Sequence, residues 1–204
     1  PVVALIPVVL FPLMNISTIK EVTKSYADSI IFLFMGGFFI GIAIEKWSLH
    51  KRIALGIISI TGTNGNRIIL GFIIATGFLS LWLSNTATTM MMYPIAMSVI
   101  QVIGTNSLAG TGMKNFSLVM MLSIAYASNF ALGTIIGTPP NVAYVNYIHD
   151  KFNYTIGFTD WMIVFMPLTI ILLFMLYWIM VKWMYPNHIN KSVEGKAFIK
   201  SELN

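Results

Sequence analysis

The chain of 204 residues has no cysteine. Disulfides, thiolate metal sites and cysteine nucleophiles are excluded at once. Charge is also scarce: 9% of residues are charged, against about 25% in an ordinary soluble domain. The scarcity is greatest in the middle. Between Arg67 and His149 the one charged residue is Lys114, in a polar loop. That stretch has no Asp, Glu or His, the groups that proton pumps and relays usually carry inside the membrane. It has no ligands for zinc or iron, because His50, His149 and His188 all lie outside it. No Ser-His-Asp arrangement is plausible within one membrane face, so the chain is not expected to be an enzyme.

What remains is apolar, at 57% hydrophobic residues. Apolar runs at 2–14, 30–44, 53–60, 68–83, 87–103, 116–147 and 161–181 predict an all-α polytopic membrane protein. Run 161–181 spans a bilayer outright. Run 68–83 gives roughly 24 Å of helix, short for a full span. Run 116–147 is too long for one straight span and is interrupted by "GTIIGTPPN". The formal net charge of +5 is assigned to loops that set orientation, not to nucleic-acid binding. Lys46, Lys51, Arg52 and Arg67, and then Lys182, Lys191, Lys196 and Lys200, mark two cytoplasmic segments. The 149–160 loop, with Asp150 and Asp160 against Lys151, is external. The "WSLHKRIALGIISI" stretch is expected to be an interfacial helix on the cytoplasmic face. No cleavable signal peptide is visible. Pro1 already lies inside an apolar run and the end is polar, so a fragment is expected.

From Arg67 to Asp150 the chain must cross the membrane an odd number of times, with three candidate segments between. Either all three cross, or two form a re-entrant hairpin and the third crosses. Two features favour the hairpin: both arms, 68–83 and 87–103, are short, and the polar cluster "SNTATT" lies at their junction. Irregular backbone at membrane depth is tolerated where protein or a water-filled cavity covers it. At such a tip, the end of one helix offers carbonyls to a cation and the start of the next offers N–H groups to an anion. Asn85 has an oxygen for the one and an NH2 for the other, and Thr86 and Thr88 add hydroxyl donors. Ser80, one helical turn before Ser84, either faces the same site or bonds back to its own helix. Downstream, Gly133, Gly137, Pro139, Pro140 and Asn141 predict a discontinuous helix, broken at about 133–141. Such helices accompany ion sites in secondary transporters. Gly36 and Gly37 are expected at a close helix contact.

"SNTATT", followed by a later "GTPPN" break and preceded by "LFMGGFFIGIAIEKWSLHKRIAL" and "IPVVLFPLMNI", resembles the divalent anion/sodium symporter family over most of the chain. The resemblance implies sodium-coupled symport of di- or tricarboxylates such as succinate, malate, fumarate or citrate. It implies a homodimer that works by an elevator-type motion, with two inverted repeats, each carrying one hairpin tip and one broken helix. This chain holds one such set, the first repeat. Residues 1–67 would be scaffold helices and the interfacial helix, and 68–103 the re-entrant hairpin. Residues 104–186 would be transport-domain helices including the break, and 187–204 a cytoplasmic linker to a missing second repeat. Carried over by motif, Asn85, Thr86 and Ser84 would contact substrate. Ser80, Ser84 and Asn85 would hold sodium, with a carbonyl from Gly133 or Gly137 and closure by Asn141. A bacterial inner membrane is the expected location. Two alternatives stay open: an exchanger or sulfate/oxyanion carrier of the same architecture, and a channel or non-transport membrane protein.

Overall fold

The computed structural model describes residues 2–27, 29–61, 64–106 and 111–186. The expected linker at 187–204, with Lys191, Lys196, Lys200 and His188, lies outside them. Every regular element among the described residues is helical. The chain divides into two compact units, 1–39 and 40–204.

The first unit contains α1 (Val2–Leu13), α2 (Ile19–Tyr26) and the start of α3 (Ser29–Lys46). A capping box sets where α2 begins: Thr18 accepts from the Glu21 N–H, and the Glu21 carboxylate accepts from the Thr18 N–H at 2.9 Å. The Tyr26 hydroxyl donates to the Ala4 carbonyl and ties α2 to α1.

The second unit is built around α5 (Gly65–Ser80). α5 packs against α4 (Leu49–Thr61) and α7 (Thr111–Asn129), and α6 (Asn85–Asn106) closes the group. Ile68, Ile69, Phe72, Ile73 and Ala75 on α5 are fully buried. They meet Leu55 of α4, Met92 and Val99 of α6, and Phe116, Met120 and Ile124 of α7 in one core. Gly77 lets α9 (Phe158–Tyr177) approach, since a Cβ there would stand 2.6 Å from Leu173 Cδ1. An apolar helix buried over most of its surface is an interior helix, and α5 is largely so, with Ile74 and Phe78 left exposed. α9 is the opposite: Ile163, Val164, Ile170, Ile171 and Phe174 are all exposed. It continues through a π-helical segment, Trp178–Met184, with aromatic residues along it. Together these form an apolar stretch long enough to cross a bilayer, and 85–104 is the other such stretch among the described residues.

Three expectations shift. The second arm of the hairpin is not short: α6 has 22 residues, about 33 Å, against roughly 30 Å of hydrocarbon. Most of "SNTATT" is helix, because Asn85 to Thr89 form the opening turns of α6. The downstream break also begins earlier than 133. α7 ends at Asn129, 3-10 turns follow at Ala131–Gly133 and Ile135–Gly137, and α8 starts at Pro139. Pro139 and Pro140 occupy the first helical positions of α8, where a missing N–H costs nothing. They mark the end of the break, not its centre.

Candidate functional site

Ser84 caps α6: its Oγ accepts from the Ala87 N–H at 3.3 Å, and its carbonyl from the Thr88 N–H at 2.9 Å. The first N–H groups of α6 are left without partners inside the helix, as at any helix start. Before Ser84, α5 ends in a tight turn in which Leu83 N–H bonds to Leu79 O.

The break lies against this turn. Thr134 Oγ1, fully buried, donates to Leu81 O at 2.6 Å. Asn141 Nδ2 donates to Thr134 O at 2.9 Å, so the first turn of α8 holds the break from its far side. Trp161 Nε1 donates to Leu132 O at 2.9 Å and its ring stacks on Phe165, fixing the first 3-10 turn to α9. Gly133 touches the tip directly: a Cβ there would come within 3.0 Å of Leu81 Cδ2 and of Met166 Sδ. The N–H of Gly137 bonds back to Thr134 O at 3.4 Å.

At the centre is a network of neutral groups. Ser80 Oγ lies 2.5 Å from Ser128 O and 3.1 Å from Asn85 Oδ1. Asn85 Nδ2 donates to Asn129 Oδ1 at 3.3 Å, and Asn129 Nδ2 to Ala125 O at 2.8 Å. Thr89 Oγ1 sits 2.8 Å from Asn85 O and 2.9 Å from Ser128 Oγ. Beside this network is a cavity of about 390 Å³ lined by Asn85, Thr86, Thr89, Met90, Ala125, Ser128 and Asn129. No charged side chain lines it. Thr88 is fully buried and its hydroxyl has no hydrogen-bond partner among the described residues. An orphaned hydroxyl of this kind costs about 1–3 kcal/mol.

The sequence-predicted residues thus divide. Ser80 and Asn85 come together, with Ser84 at the helix cap and Thr86 on the cavity wall. Gly133 packs on the same turn. Asn141 reaches the break through Thr134, not through Asn85. Ser128 and Asn129 were not anticipated. The signal for them is a second Ser-Asn pair in "ASNFALGT", at the end of α7, facing the first at the start of α6.

A citrate transporter family profile matches residues 1–201. The sodium-dependent dicarboxylate transporter SdcS of Staphylococcus aureus strain USA300 is 41% identical over an alignment of 208 positions that covers 98% of this chain and 39% of that protein. The same transporter from strains NCTC 8325 / PS 47 and COL is 40% identical over the same extent. The chain therefore spans about two-fifths of the length of the curated relatives it matches.

Proposed function

The chain belongs to the citrate transporter family, and on that footing we propose that it forms one half of the sodium and carboxylate site of a sodium-coupled di- or tricarboxylate symporter. The observation that carries this reading is the Asn85 amide. Its oxygen faces the Ser80 hydroxyl, and its NH2 faces the cavity through Asn129.

The two ends of that amide suit opposite charges. A hydroxyl has one hydrogen, and the shorter Ser80 contact, to Ser128 O, takes it. Ser80 Oγ and Asn85 Oδ1 then face each other as bare acceptors 3.1 Å apart. Two oxygens about 2.4 Å from a cation of calcium size and at right angles lie about 3.4 Å apart, so the spacing fits neighbouring ligands of a sodium ion. Ser84 completes the set from the helix cap, and Gly133, in direct contact with the tip, is the better of the two glycine candidates for a carbonyl ligand. On the cavity side, the second hydrogen of Asn85 Nδ2, the Thr86 hydroxyl and the free N–H groups of α6 form a donor pole for a carboxylate. The cation offsets the anion's charge where no lysine or arginine is present.

The relatives' names supply the coupling ion and the substrate class. The rest of the architecture belongs to the same proposal. Here α5 and α6 form a re-entrant hairpin, and 68–103 and the helices of 104–186 move together as a transport domain. Residues 1–67 are the scaffold of a homodimer in a bacterial inner membrane. A second, inverted repeat completes the site in an elevator-type carrier. The burial of α5 supports the hairpin, and the length of α6 counts against it. Uptake of labelled succinate into proteoliposomes, with and without an inward sodium gradient, tests the function. Sodium-dependent accumulation is expected. Uptake that ignores sodium but requires internal dicarboxylate would replace symport with exchange.

A further inference from the structure

Hydrogen bonds between amides have a direction, and one backbone carbonyl fixes it here. Ala125 O can only accept. Asn129 must therefore turn its NH2 toward Ala125 O, at 2.8 Å, and its Oδ1 the other way. That Oδ1 can also only accept, so Asn85 must offer its NH2, at 3.3 Å. Asn85 Oδ1 is then left pointing at Ser80 Oγ, at 3.1 Å. If either amide rotated by half a turn, two acceptors or two donors would meet at the contact between Asn85 and Asn129. The Ala125 carbonyl is held in place in turn, because Ser128 Oγ also donates to it at 2.9 Å.

We propose that Asn129 is a positioning residue that sets the polarity of the Asn85 amide, so that its oxygen is kept for the cation and its NH2 for the anion. This deepens the proposed function and rests on its assignment of Asn85. Without Asn129, the Asn85 side chain can rotate and present an NH2 to the cation position at little cost. The cation then meets a donor in part of the population, and its apparent affinity falls by that part. Asn129 also lines the cavity, so a charge introduced there would bear on the anion.

Two substitutions separate these effects. Asn129→Leu removes both amide bonds at similar size. Asn129→Asp gives up the bond to Ala125 O but keeps an acceptor for Asn85 NH2, and it places a negative charge on the cavity wall. In proteoliposomes holding the transport-competent protein, Asn129→Leu should raise the sodium concentration for half-maximal succinate uptake by about five- to tenfold, the worth of one neutral hydrogen bond. Asn129→Asp should leave that concentration unchanged or lower while raising the succinate KM. Asn129→Ser, too short to reach Asn85, should match the leucine variant and serves in its place if that variant does not insert. A leucine or serine variant with normal sodium dependence overturns the inference, and so does an equal loss in the leucine and aspartate variants. Asn85→Ala is measured in the same membranes. Sodium-driven uptake that survives there sinks the parent reading, whereas its loss beside a normal Asn129→Leu sinks only this one.

Discussion

At the scale of single residues, the site is a set of neutral oxygens and amides whose roles follow from how many hydrogens each carries. Asn85 is the residue both ligands would share. Asn85→Ala is expected to lower sodium-driven uptake to background while membrane insertion is retained, with surface expression measured alongside. Thr86→Ala should weaken uptake by raising the substrate KM, because Thr86 lies on the cavity wall and not in the Ser80 cluster. Near-normal kinetics in either variant would remove that residue from the site. Ser84 has a structural duty too, because its Oγ caps α6. Replacing it by alanine should cost about 1 kcal/mol of stability in addition to any loss of transport, so a thermal midpoint should accompany its kinetics.

At the scale of elements, tight packing and caps make separate predictions. Gly77 brings α5 against α9, and a methyl group there would push on the end of the Leu173 side chain. Gly77→Ala should cost stability, by about the 1 kcal/mol at the low end of overpacking, read as a lower thermal midpoint in detergent. Leu173→Ala, which removes the obstructing side chain, should recover part of the loss when combined with it. On α2, the Thr18 N–H and the hydroxyls of Thr18 and Ser17 hold the Glu21 carboxyl below its ordinary pKa. A lowered pKa in the folded state means that this cap contributes fully above the ordinary carboxylate range and is lost as the pH falls through the lowered value. Protection of the amides at the start of α2, taken relative to their intrinsic exchange rates, should therefore fall on acidification, and Glu21→Gln should remove that dependence. The same elements explain what was legible in the sequence. Apolar runs located α3, α5 and α9 to within a few residues, because burial and lipid exposure both demand such runs. The break was placed too late because its prolines begin α8 and do not interrupt a helix. α6 was made too short because uncharged hydroxyl residues looked like loop. In the structure Thr89 bonds back to its own helix and across to Ser128, as a helical threonine can. Ser128 and Asn129 lay inside an apolar block and had no spacing rule to reveal them. Only the contact between α6 and α7 gives them a role.

At the scale of the molecule, two breaks in regular helix are fastened to each other. Thr134 joins the second break to Leu81 of the first, and Asn141 and Trp161 hold it from α8 and α9. A tip held this way presents a fixed set of groups, and in the proposed function its amide serves the cation on one side and the anion on the other. Two ligands that share one group must be linked: whatever sodium adds to the affinity for dicarboxylate, dicarboxylate adds to the affinity for sodium. The most direct test is equilibrium binding of succinate to the purified transporter at several sodium concentrations, with potassium as the balancing ion. The account predicts that succinate affinity rises with sodium in the native protein and that this dependence disappears in Asn85→Ala. Succinate binding that is equally tight in sodium and in potassium would contradict it.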